Sequence, residues 1–402
     1  MNLDVRKSEK DDAATYEGDM TLEGGRLSSP LIAKPLEDMD IEARFDKNSF
    51  SLKVRNLSAG QTKIKGSAEI PDLSERRVTL DIESSEFYLD DFREKDGRSF
   101  RDWITDIIEV VSPGSTGETP DGKKRPPLTG DGSVTIKEGR AFGHGFTDLS
   151  TKLRIEEEAV YLHSLSFVTS EGPTEGLVIF YRDPDYPLIE MEMRFAGIKL
   201  KSFFEGFGLK KEVLSGTLYG SLVLSFERGA EPAAAGMNGS FFLRAEKGKM
   251  WKFLFFSKIF SIVNILSIDE LFKEGLPYRF IDGDFKVKDG VISTSKLVFD
   301  SDSMRMSAVG EIDTANRTME ATLAMHPFVT IDKIITNIPL AGWILGGEEK
   351  SAISMYYELS GPLARPIVEP VPIKGIQEGI FSKLQRLIET PFGVMNKKNN
   401  NK

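Results

Sequence analysis

Apolar and polar side chains alternate along most of this chain. In Ile189-Glu190-Met191-Glu192-Met193-Arg194-Phe195, four apolar groups fall at one parity and three charges at the other. A strand with a period of two places each set on its own face, one dry and one wet. The pattern recurs at Ile41 to Phe45, Phe50 to Arg55, Lys63 to Ile70, Val78 to Ile82, Val160 to Phe167, Leu222 to Phe226, Phe285 to Lys288, Met304 to Ala308, Met319 to Met325 and Met355 to Leu359. So much one-sided strand predicts a mainly β chain with a large apolar surface, and the functional question becomes what covers it.

Between the strands stand residues that tolerate positive φ: Glu23-Gly24-Gly25, Lys137-Glu138-Gly139, Asp282-Gly283 and Lys288-Asp289-Gly290. Read as tight turns, they imply an antiparallel meander. The meander renews itself about every 110 residues. One unit runs from GDMTLEGGRL to RRVTLDIESSEFYLDDF, the next from GSVTIKEGRAFGHGF to LIEMEMRFAGIKLKSFF, and the third from GSFFLRAEKGKM to TMEATLAMHPFVTIDKI. Helical spacing is confined to Phe100 to Val111 and to Gly375 to Glu389. The expected organisation is an N-terminal β-repeat unit with a short helix over 1–112, a Pro/Gly-rich loop or linker over 113–131, a β-groove region over 132–370, and an amphipathic helix with a disordered tail over 371–402.

Two segments could touch a membrane or a protein partner. Trp251, Phe255 and Phe256 with Lys252 and Lys258 combine aromatics that insert with cations that meet anionic headgroups. The same segment reads equally as a cap on the end of the sheet. It is too short to span, with about 10 uncharged residues from Ile259 to Ile268 against the roughly 20 a bilayer needs. The C-terminal helix carries Ile380, Phe381 and Leu384 beside Lys374, Lys383 and Arg386, and fits a membrane surface, a partner or the sheet itself.

Composition narrows the chemistry. Hydrophobic content of 40% and charged content of 28% describe a folded protein, and 402 residues suffice for two or three domains or one long repeat. A net charge of -10 argues against a nucleic-acid partner. The chain has no cysteine, so disulfides and thiolate chemistry are excluded. The first residues, MNLDVRKSEKDDAATYEGD, show no apolar core of a signal peptide and no membrane anchor. His144, His163 and His326 have no paired acid and no metal-ligand spacing, and the glycine-rich nucleotide and G-x-S-x-G patterns are absent. Neither an enzyme nor a cofactor or metal site is expected.

Three covers remain for the apolar face: a second sheet, a bilayer around a barrel, or lipid held within a sheet. The barrel needs girdles of Tyr and Trp, whereas Phe numbers 27 against 9 Tyr and 3 Trp. A sandwich and a groove both require one dry face per strand, but a repeated meander lengthens a surface rather than closing a core. The residues that would line the groove are Ile189, Met191, Met193 and Phe195, Leu222, Leu224 and Phe226, Phe285 and Val287, Met304 and Met306, and Leu323 and Met325. Their methionines suit disordered acyl chains and equally suit gaps in a core.

From residue 130 to 370 the order of features resembles the C-terminal region of the AsmA-like family, the YhdP- and TamB-like envelope proteins of bacteria. The carrying stretches are GTLYGSLVLSFERG, GSFFLRAEKGKMWKFLFFSKIFSIVNI, FIDGDFKVKDGVISTSKLVFDSDSMRMSAVGEID, IPLAGWILGG and SMYYELSGPLARPIVEP. Residues 16 to 92 resemble it more loosely. The resemblance implies an elongated, curved antiparallel β-sheet with a hydrophobic groove and short amphipathic helices at its edges and end. It also implies bridge-like phospholipid transfer between inner and outer membranes in the periplasm of a diderm bacterium, in support of outer-membrane integrity. The partners would be phospholipid acyl chains, a membrane surface and an energised inner-membrane protein. From another class, the same strands fit a closed β-sandwich that assists outer-membrane protein assembly by edge-strand pairing.

Overall fold

The computed structural model describes residues 2–7, 14–28, 32–92, 127–182, 185–206, 213–251, 275–327 and 354–389. These residues form nineteen strands, two α-helices and a few short 3-10 turns. The chain is mainly β, and every alternating stretch named above lies inside a strand. The helix expected over 100–111, the residues 113–126 of the expected linker and the tail beyond 389 lie outside the described residues.

Two compact units divide within one strand, between Arg194 and Phe195, with residues 225–228 belonging to the first unit. In the first unit the strands are β1 (Asn2–Lys7), β2 (Ala14–Leu27), β3 (Leu36–Lys47), β4 (Ser49–Ala59), β5 (Thr62–Ile70) and β6 (Arg77–Tyr88). They continue as β7 (Thr129–Ala141), β8 (His144–Ile155), β9 (Ala159–Thr169), β10 (Gly172–Tyr181) and the start of β11 (Ile189–Lys199). From β1 to β6 and from β7 to β10 each strand pairs antiparallel with the next. Register carries one apolar row through nine strands: Met20, Ala43, Leu52, Ala68, Leu80, Gly132, Leu153, Leu162 and Val178. No second sheet lies among the described residues of this unit. Accordingly Leu22 and Phe45, on the row's face, keep 37% and 38% of their surface exposed.

One joint departs from the expected meander: β6 and β7 are parallel. A parallel pair needs a connection that returns to the starting end, which a tight turn cannot supply. The sequence between them, residues 89–128, includes the segment of helical spacing over 100–111 and most of the Pro/Gly-rich stretch, whose last residues β7 takes from Thr129 onward. Below this joint, Asp91 in a 3-10 turn accepts at Oδ2 from the Gln61 and Thr62 amides and the Thr62 hydroxyl, at 2.9, 3.0 and 3.0 Å.

The second unit holds the end of β11, α1 (Leu200–Gly206), β12 (Thr217–Phe226), β13 (Met237–Met250), β14 (Leu276–Lys288) and β15 (Val291–Asp300). It closes with β16 (Met304–Asp313), β17 (Thr318–Pro327), β18 (Met355–Pro362), β19 (Ile367–Pro370) and α2 (Glu378–Glu389). The ladders from β13 to β19 are all antiparallel. Helix α2 begins three residues later than its apolar spacing suggested, because Ile373–Gly375 forms a 3-10 turn first.

Of the four expected turns, only Asp289-Gly290 is one, at φ 49° and 78°. The other three lie inside β2, β7 and β14. Glycine within a strand marks a bulge or a close approach. Gly24 and Gly25 sit at a register shift of β2, the Phe146 ring occupies the space above Gly139, and the Phe285 ring covers Gly283.

Candidate functional site

The two faces of the second unit differ in kind. Register places Leu243, Gly283, Leu297, Ala308, Leu323 and Tyr357 in one row of the apolar face. The next row is Phe241, Phe285, Thr294, Gly310, Ala321, Leu359 and Val368. The middle of both rows is built from small residues, so the sheet lacks side-chain bulk there. Gly310 is pressed against Ala321, whose Cα would lie 2.4 Å from any added Cβ. The result is a cavity of about 350 Å³, lined by Ile281, Phe285, Ile292, Leu297, Phe299, Met306, Ala308, Ile312, Met319, Ala321, Leu323 and Leu359 among others. Its size falls in the range of small-molecule sites, and its chemistry is almost wholly apolar.

One end of this face is sealed. Leu200 and Phe204 of α1, Leu214, Met250, Leu276 and Tyr278 pack with Phe299, Met304, Met306, Met325 and Tyr357. The Tyr278 hydroxyl donates to the Ser215 carbonyl oxygen, and burial pushes its pKa up, as it does for Tyr357. An apolar environment that disfavours phenolate is the common cause. Away from this end Leu297, Ala308, Ile312 and Met319 are only half-buried.

The opposite face is polar and structured. Arg244 meets Asp282 at 3.0 Å and Glu246 at 2.6 Å, and Lys296 meets Asp282 at 2.9 Å and Asp284 at 3.1 Å. Burial alone would lower the Lys296 pKa, but Asp282 and Asp284 together hold it above the usual value. Here α2 lays Leu384 and Ile388 against Ala324 and Tyr356. Its last turn is held by two donors from β16, Ser307 Oγ to the Leu384 carbonyl at 3.3 Å and Arg305 Nη1 to the Ile388 carbonyl at 2.9 Å. Unsatisfied carbonyls at a helix C-terminus require such partners.

The groove residues expected from sequence are therefore distributed unevenly. Phe285, Met306 and Leu323 line the cavity. Met304 and Met325 lie in the sealed end with almost no exposure, so they fill the core there and do not face an open groove. Val287 is buried one row further along β14, while Leu222, Leu224 and Phe226 are half-buried on β12. On β11, Ile189 is buried and Met191, Met193 and Phe195 are half-buried. Met193 occupies the space above Gly176, and Phe195 that above Gly220. Sequence reading passed over Phe299, Leu297, Ile312 and Ala321, although Ile312 and Ala321 continue the parity of Met306 and Leu323.

Of the expected membrane or partner contacts, Leu384 is fully buried, and Ile380 and Phe381 are partly buried against the same cluster. Their contact in this structure is the sheet. Trp251 packs over Gly275, and Lys252, Phe255, Phe256 and Lys258 lie outside the described residues. Among the described residues no helix is long and apolar enough to cross a membrane, and no group of three His, Cys, Asp or Glu could hold a metal.

No curated protein and no solved structure matches the chain. Residues 31–368 match the family model described as YhdP protein, in accord with the resemblance to AsmA-like envelope proteins, and the chain belongs to the YhdP family.

Proposed function

We propose that this chain is a lipid-binding module of the bacterial envelope, whose apolar sheet faces hold phospholipid acyl chains during bridge-like transfer between inner and outer membranes. The observation that carries the reading is the cavity on the second unit's apolar face. A half-buried trough of Leu, Ile, Met and Phe, with small residues along its floor, leaves room for a flexible hydrocarbon chain and offers it an almost wholly apolar lining. Membership in an envelope-protein family supports the same reading. The acyl chain is the occupant and its headgroup remains in water.

Such transfer needs no bond chemistry. A methylene exposed to water costs about 0.8 kcal/mol, but moving from a bilayer to an equally apolar trough changes little. Direction then comes from outside the chain, from an energised partner in the inner membrane. Native mass spectrometry of protein purified gently from a diderm bacterium tests the proposal. Phospholipid should copurify with the wild type and be reduced several-fold in Ala308→Phe, which fills the cavity. Lipid-free wild-type protein, or equal lipid in both, would overturn it.

A further inference from the structure

Among the described residues, the last strand of the second unit pairs on one side only. β19 pairs antiparallel with β18, Ile367 opposite Ser360 and Pro370 opposite Tyr357. One residue on, the Val371 amide donates to the Tyr356 carbonyl oxygen at 3.0 Å, in the same register. In an antiparallel ladder, N–H and C=O groups point alternately toward the partner and away from it. The groups of Ile367, Glu369 and Val371 therefore face β18. Those of residues 368, 370 and 372 face the other way, and two of these three are proline, the exposed Pro370 and Pro372. Proline has no amide hydrogen, so the outward side of this strand keeps a single donor, at Val368.

An exposed strand edge is a template for another chain, and this one would otherwise be attractive. Ile367 is 53% exposed, Glu369, Pro370 and Pro372 are exposed, and Val368 belongs to the apolar row. We propose that Pro370 and Pro372 make β19 a terminator of strand addition. It blocks pairing with a second copy of this chain or with an extended segment of a partner at this edge. The inference is independent of the lipid reading, and it removes this edge as a site for the edge-strand pairing that an assembly factor would use.

Because the chain has no cysteine, a single introduced one reports without background. Glu369→Cys in the wild-type background should form no disulfide-linked dimer under mild oxidation. In Pro370→Thr/Pro372→Thr, which restores two outward donors at exposed positions, the same cysteine should crosslink, and sedimentation velocity should shift toward a dimer with rising concentration. Protection of the Val371 amide against hydrogen exchange reports that β19 is still in place. Crosslinking of the wild type at position 369 would overturn the proposal whatever the variant does. So would a variant with β19 retained whose sedimentation matches the wild type.

Discussion

Arg305 on β16 reaches the end of α2, where its Nη1 donates to the Ile388 carbonyl oxygen 2.9 Å away. The same guanidinium donates through Nε to Asp300, which is fully buried and shared with Arg279. Arg305 thus caps a helix and neutralises a buried carboxylate at once. Arg305→Met should cost about 3 kcal/mol, because removing one partner leaves a buried charge poorly compensated. Chemical denaturation measures the loss, and hydrogen exchange should show α2 opening ahead of the sheet.

Leu384 makes the complementary contact. It has no exposed surface and sits between α2 and the sheet. Leu384→Ala should destabilise by about 2–4 kcal/mol through lost burial and a residual cavity. If α2 instead rested on solvent or membrane, the denaturation midpoint would scarcely move.

In the first unit, Asp91→Ala should remove the acceptor of three hydrogen bonds from Gln61 and Thr62, at a cost of about 2–4 kcal/mol. Gly60→Ala strikes the same clamp from the other side. Its φ of +59° disfavours a side chain, and the new Cβ would lie 2.4 Å from Asp91 Oδ1. Both variants should lower the thermal midpoint, and the double variant should fall by less than the sum, because removing Asp91 relieves the clash at position 60 but not its backbone strain.

Much of this architecture was legible in the alternation itself. Strand positions, the parity of Met306 with Met325 and the scarcity of helix all follow from a period of two. Three things did not. The parallel β6–β7 pair depends on the connection over 89–128, and neither its helical spacing over 100–111 nor its Pro/Gly-rich part says at which end of the sheet the chain returns. Whether a methionine on the apolar face is sealed or open depends on α1, Leu214 and Met250, which local pattern does not connect to Met304. Arg305 and Ile388 are 83 residues apart, and nothing in either neighbourhood announces the cap. The glycines misled for a physical reason: a residue free of Cβ serves a turn or a close ring contact equally well.

Alkaline pH should weaken the fold in a defined window. Burial, then the hydrogen bond to Glu190, pushes the Tyr181 hydroxyl from 10.0 up to about 12. A group whose folded pKa is raised holds its proton more tightly in the folded chain. Its contribution is complete below about pH 10 and is lost as pH rises toward about 12. Tyr181→Phe should flatten the fall of the urea midpoint across that window. An unchanged slope would show that other groups govern it.

The central claim is that the apolar face, and not its reverse, meets lipid. Met319 lines the cavity, and its neighbour Glu320 points to the opposite, exposed face of the same strand. A photoreactive amino acid placed at each position in turn, in a diderm bacterium, compares two sites one residue apart. Phospholipid adducts should form at position 319 and be absent or several-fold weaker at 320. Equal capture at both positions, or capture at 320 alone, would contradict the account.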